Sequence, residues 1–201
     1  MQSSMNVSES ITLDRIITIT KNKSLSRVLW VSAFTILTAI GAQVSIPTFP
    51  VPITLQTFFV LLAGAMLGSR NGAASQIAYL TAGAIGLPVF ANGGGSFLHL
   101  IGPTGGYLLG FPVAAFLIGY LIHDVASIRN LPVLVRTFVA MIAGLLVIFL
   151  LGVLQLYATV LHNFSAAFQA GFVSLQWWDG LKLLAAASIY AEVARRYSKV
   201  G

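Results

Sequence analysis

Lysine and arginine occur in clusters along this chain, and the clusters alternate with segments that have none. Arg15, Lys21, Lys23 and Arg27 precede the first long apolar run, and Arg70 falls between the second and third. Arg129 and Arg136 stand between the fourth and fifth, while Arg195, Arg196 and Lys199 follow the last. The segments 47–52, 88–103 and 157–176 hold neither residue. Basic residues collect on the cytoplasmic side of a membrane. All the basic residues except Lys182 therefore fit six crossings with both termini inside; five or seven crossings break the alternation.

Composition points the same way. Charged residues make up 8% of the chain, apolar residues 57%, and the mean hydropathy is +0.90. A soluble domain carries about 25% charged residues. The expected fold is an all-α integral membrane protein, a six-transmembrane-helix bundle. A spanning helix needs roughly 20 apolar residues, and six segments approach that length: about 27–46, 53–68, 73–87, 104–122, 131–156 and 178–196. The second and third are short, which predicts tilting or local bilayer thinning. Residues 1–26 read as a cytoplasmic tail and 27–201 as one membrane domain. The tail carries Ile11, Leu13, Ile16 and Ile17 at roughly helical spacing, compatible with an interfacial helix or a disordered segment. It has neither the continuous apolar core nor the small-residue cleavage site of a signal peptide.

Several function classes drop out. Orientation and attraction to anionic lipid account for the formal charge of +6, so no nucleic-acid partner is needed. The absence of cysteine excludes disulfides and thiolate metal sites. His99, His123 and His162 are scattered without metal-ligand spacing, and no metal is expected. There is no G-x-x-x-x-G-K-[ST] phosphate loop. No nucleophile–base arrangement or pair of catalytic carboxylates stands out, so the chain does not read as an enzyme. Asp124 reads as solvated, and Glu192 as a helix-end partner of Arg195 and Arg196.

Lys182 is the exception to the charge alternation, and Asp179 stands three residues before it in Trp177-Trp178-Asp179-Gly180-Leu181-Lys182. Residues three apart share a helix face, and ionisable groups inside a membrane mark functional sites by default. The pair is expected near the outer end of the sixth span, either tying helices together or forming a polar site between them. Gln56 lies at similar depth. The outer segment Gly86-Leu87-Pro88-Val89-Phe90-Ala91-Asn92-Gly93-Gly94-Gly95 is too long and glycine-rich for a minimal connection. Such loops are either flexible connectors or binding loops, and three glycines would let backbone groups approach a ligand. Trp177 and Trp178 suit an interfacial belt or the wall of an apolar pocket. Ala74, Ala78, Ala82 and Gly86 recur every fourth residue of the third span, with Gly64 and Gly68 likewise in the second. Small residues at that spacing allow close helix approach, for packing inside the bundle or for docking another membrane subunit. Thr35 and Ala39 offer a less regular face on the first span.

Three segments in order, Phe49-Pro50-Val51-Pro52-Ile53-Thr54-Leu55-Gln56, Gly86-Leu87-Pro88-Val89-Phe90-Ala91 and Gly102-Pro103-Thr104-Gly105-Gly106-Tyr107-Leu108-Leu109-Gly110-Phe111, resemble the BioY family. Asp179-x-x-Lys182 matches that family's pair on its last helix. The resemblance covers about 25–195 and implies the biotin-binding S-component of an energy-coupling factor (ECF) transporter in the plasma (inner) membrane. It implies capture of biotin from the outer side into an occluded site capped by the glycine-rich loop after helix 3. It also implies partners: a transmembrane coupling subunit and two ABC ATPases, with no cofactor in this chain. Asp179, Lys182 and Asn92 would contact biotin, with Gln56 and Tyr107 also in the site. Phe90, Tyr107 or Trp178 would wall the bicyclic ring. Trp177-Trp178 departs from the Pro-Gly turn common there. Asp179 would accept from a ureido N–H, and Lys182 would donate to the ureido carbonyl or to the valerate carboxylate. Another vitamin is the alternative ligand.

Overall fold

The computed structural model describes residues 23–126, 130–174 and 176–198. The proposed tail helix around Ile11–Ile17, Arg129 and Lys199 lie outside the described residues. The first helix, α1 (Lys23–Gln43), runs 21 residues, about 30 Å at 1.5 Å per residue. It stops before the proline-punctuated segment 47–52, which folds back so that strands β1 (Ser45–Ile46) and β2 (Ile53–Thr54) pair antiparallel, Ser45 opposite Thr54.

Helix α2 (Gln56–Ala84) is two antiparallel arms joined at Gly68, whose φ of 78° breaks the helical path. Only glycine adopts that region without steric cost. The reversal brings Gly72 against the backbone of Ala63 and Gly64, and returns Tyr79 to Gln56. These arms match the expected second and third segments, with the second arm ending near Gly86 (φ 105°). A short helix α3 (Leu98–Ile101) interrupts the next connection. Helix α4 (Gly105–His123) accommodates Pro112 in its interior, as membrane helices tolerate. Helix α5 (Val133–Leu156) continues as a π-helical turn to Leu161. Helix α6 (Phe164–Phe168) and a second π turn (Gln169–Val173) lead into α7 (Gln176–Ser198). The expected loop 157–176 is thus mostly helical.

Helices α1, α4 and α5 with its extension to Leu161 are each long and apolar enough to cross a membrane, among the described residues. The packing follows the chain: α1 on α2, α2 on α4, α4 on α5, and α7 against α2 and α5. Apolar side chains such as Ile36, Ile40, Val113, Leu146, Leu150 and Leu184 point outward and exposed. A surface of that kind suits lipid rather than water.

Close approach comes from small residues. A Cβ on Gly106 would lie 2.2 Å from the Leu151 carbonyl oxygen, so this glycine is the contact point of α4 with α5. The every-fourth-residue stripe behaves differently from the reading as internal packing. Ala74, Ala78 and Gly86 are exposed and Ala82 half-buried, while the inward face of that arm is Gly72, Ser75, Gln76, Tyr79 and Gly83. The reversal at Gly68 sets the rotation of this arm, and sequence spacing does not encode rotation.

Arg136, counted with the basic cluster before the fifth segment, falls within the 131–156 run. It belongs to the first turn of α5 rather than to a connection, is 6% exposed, and its Nε has no hydrogen-bond partner among the described residues. Asp124 is exposed, and Glu192 pairs with Arg195 and with Arg196 (2.8 Å), as expected.

Candidate functional site

Where α7 begins, its first turn presents Asp179, a favourable place for a carboxylate at the positive end of the helix dipole. Lys182 lies one turn on, with its Nζ 2.6 Å from Asp179 Oδ1. The two side chains are 8% and 12% exposed. A buried pair is costly unless its remaining hydrogen-bonding capacity is met, and here β2 and the start of α2 meet it. Lys182 donates to the Thr54 carbonyl (2.6 Å), to Thr57 Oγ1 (3.0 Å) and to Asp179. An ammonium has three donors, so all are used. Thr57 in turn donates to Asp179 Oδ1 (2.5 Å). The Asp179 Oδ1 atom thus takes two hydrogen bonds, and Oδ2 takes none among the described residues.

A cavity of about 200 Å³ opens onto this pair. Its lining brings together the five residues expected to form the binding site, Gln56, Asn92, Tyr107, Asp179 and Lys182. Phe90, Phe111 and Phe149 supply apolar wall, and Thr54, Thr57, His99 and Thr104 add polar groups. The volume suits a small molecule and no macromolecular segment.

The expected residues do not all offer free groups. Gln56 accepts from Thr54 Oγ1 (2.8 Å) and donates to Tyr79 Oη (2.5 Å), which donates to the Val89 carbonyl (3.1 Å). Its amide is a brace between α2 and the segment carrying Phe90. The Tyr107 hydroxyl donates to the Gly171 carbonyl (2.9 Å), so its ring, not its hydroxyl, faces the site. Asn92 adopts a left-handed conformation (φ 58°) and accepts from Ser45 Oγ (3.0 Å). Trp177 and Trp178 are 78% and 47% exposed and absent from the lining; they stand on the outward side of α7, so the expected Trp178 wall falls to Phe90, Phe111 and Phe149.

The segment 85–104 closes one side of the cavity, and two glutamines hold it. Gln43 at the end of α1 donates to the Phe90 carbonyl (3.1 Å) and accepts from the Gly93 N–H (3.2 Å). Gln155 on α5 donates to the carbonyls of Leu100 (3.0 Å) and Gly102 (2.7 Å). Gly93, Gly94 and Gly95 do not line the cavity. A Cβ on Gly95 would sit 2.0 Å from the Leu87 carbonyl oxygen, so it serves the compact fold of the segment rather than backbone approach to a ligand. Thr57 and His99 were not expected in the site from sequence. Thr57 directly follows the motif that ends at Gln56, one position short of the residue bridging both charges.

The family model for the BioY family matches residues 12–199. A relative from Thermotoga maritima, named "Biotin transporter BioY", is 44% identical over 156 residues, spanning 78% of this chain and 88% of that protein. A "Probable biotin transporter BioY" from Pyrococcus horikoshii is 42% identical over 162 residues, 81% of this chain and 91% of the relative. Another of that name, from Lysinibacillus sphaericus, is 42% identical over 160 residues, 77% of this chain and 79% of the relative. The fold is shared with a crystal structure described as the S-component for biotin from an ECF-type ABC transporter. The TM-score is 0.80 at 23% identity, over 88% of this chain and 94% of the other. These relatives carry names of transporters, and the matching helices are those of a membrane protein; the chain belongs to the BioY family.

Proposed function

We propose that this protein is the biotin-binding subunit of a transporter, taking biotin from the outer side of the plasma membrane for uptake driven by a separate ABC-type ATPase module. The observation that carries the ligand is the braced Asp179–Lys182 pair opening onto a small, mostly apolar cavity. Relatives more than 40% identical bear the name of biotin transporters. Biotin's ureido ring presents two N–H donors and one accepting carbonyl. Asp179 Oδ2, with no partner among the described residues, is the acceptor for an N–H, a charge-assisted bond of the stronger kind. Lys182 is already saturated, so it serves the ureido carbonyl by giving up one bond to Thr54 or Thr57.

The proposed topology is six crossings with both termini inside, residues 1–26 forming a cytoplasmic tail and 27–201 the membrane substrate-binding domain. It is supported by where the basic residues fall. Lys23 opens α1, Arg70 follows the reversal at Gly68, Arg136 opens α5, and Arg195 and Arg196 close α7. All are at the bundle end away from the cavity. The glycine-rich segment is then the outer cap, and Lys182 belongs to the site rather than to the orientation signal. The partners proposed are a coupling subunit in the membrane and two ATPases.

Calorimetry with purified protein and a panel of vitamins tests the ligand. Biotin is expected to bind most tightly, and tighter binding of another vitamin would overturn the assignment. The pair is tested by removing both charges together, because a lone survivor would be an uncompensated buried charge costing about 3–5 kcal/mol. Asp179→Asn with Lys182→Met is expected to fold and to lose biotin affinity at least about 100-fold. Unchanged affinity in this double variant would make the pair a structural tie.

A further inference from the structure

The cavity has a second polar feature that the ureido chemistry leaves unused. His99, on α3, lines it. The imidazole makes no hydrogen bond to any described residue; its ring lies against Phe90, centroids 5.7 Å apart and tilted 48°. Its Nδ1 is fully buried without a partner. A neutral imidazole carries one N–H, on one ring nitrogen or the other. The imidazole therefore has one donor that the protein itself does not use.

The rest of the lining narrows what this donor is for. One N–H of the Gln56 amide, the Thr57 hydroxyl and all three Lys182 donors are committed to protein acceptors. The hydroxyls of Thr54 and Tyr107 are committed too. The Asp179–Lys182 pair is neutral as a unit, so it offers no net charge to an anion. Among the lining side chains, His99, Asn92, Thr104 and the second N–H of Gln56 retain unused donors, and of these residues only His99 also holds a fully buried polar atom without a partner.

We propose that the His99 imidazole receives the carboxylate of the ligand's valerate tail, so that the two ends of the ligand are read by different elements: the ureido ring by α7 with β2 and the start of α2, the acid by the segment 85–104. This rests on the biotin reading above. It also assigns Lys182 to the ureido end. Because His99 sits on the closing segment, the acid group adds a ligand-borne contact to the glutamine bonds that already hold that segment, and a ligand without the acid lacks it.

The test compares biotin with its methyl ester, which keeps the ureido ring and removes the anion. Calorimetry on the wild type is expected to show the acid binding at least about 10-fold more tightly than the ester. His99→Phe keeps a ring against Phe90 without a donor. It is expected to weaken biotin about 10- to 100-fold, the range for loss of a hydrogen bond to a charged group, while ester affinity changes less than about 3-fold. His99→Gln, which restores a donor, is expected to recover part of the acid preference. Equal losses for acid and ester, or no loss for either, would overturn the proposal and leave the biotin reading standing. A wild type that binds neither compound would instead overturn the biotin reading, and this inference with it. A measurement without substitution covers a variant that fails to fold: the ¹⁵N resonances of the His99 ring are expected to shift with biotin and not with the ester. No shift with biotin would refute the contact.

Discussion

Thr57 holds the two buried charges in register. Its hydroxyl donates to Asp179 Oδ1 while accepting from Lys182 Nζ, so one oxygen fixes both side chains before any ligand arrives. Preorganisation of this kind lowers the ordering cost of binding. Thr57→Val keeps the shape and removes both bonds, leaving each charge one partner short, a loss of about 1–3 kcal/mol. The expected result is a lower melting temperature and roughly 10-fold weaker biotin binding; Thr57→Ser should restore both. The sequence shows Asp179 and Lys182 as a pair because three-residue spacing on a helix is local. It does not show Thr57, an ordinary residue in an apolar run whose role depends on contact with residues more than 120 positions away.

At the scale of elements, glycines decide how the helices meet. Gly106 stands where α4 touches the α5 backbone, with no room for a methyl group. Gly106→Ala must push the helices apart, and overpacking of this kind costs about 1–3 kcal/mol or more. Thermal unfolding in detergent is expected to show a lower midpoint, with biotin affinity falling too, since Tyr107 and Leu108 of the cavity wall follow directly. Gly68→Ala acts by another route, forcing a Cβ into a positive-φ, extended-ψ conformation that is essentially confined to glycine, at about 1–3 kcal/mol. Its destabilisation is expected to leave the Asp179–Lys182 geometry intact, because the reversal lies at the far end of the bundle. A Gly68→Ala protein with wild-type stability would contradict the hairpin geometry. Gly64 and Gly68 are read from sequence as helix-packing glycines and Gly106 is not, and the spacing does not say which faces meet. The alanine stripe of the second arm turns outward, while Gly72 and Gly83 turn in.

For the whole molecule, the cluster pattern of basic residues and the position of the cavity make one joint prediction about orientation. The chain has no cysteine, so single cysteines report topology cleanly. Ser165 and Asn130 are exposed, on connections at opposite ends of the bundle. A membrane-impermeant maleimide added to intact cells is expected to label Ser165→Cys and to spare Asn130→Cys until the membrane is opened. The reverse labelling would put the cavity on the cytoplasmic side and end the capture role. The class of the molecule, its apolar segments and the Asp179–Lys182 spacing were all decided by sequence alone, because partition into lipid and helical periodicity depend on nearby residues. Only the tertiary structure decided which oxygen of Asp179 is free, that Lys182 is saturated, that the Tyr107 hydroxyl is committed to Gly171, and that His99 lines the cavity with a donor to spare. Those outcomes depend on groups far apart in the chain, such as Thr54 and Lys182, separated by 128 positions. Their meeting is set by helix rotation and by the reversal at Gly68, which no local pattern encodes.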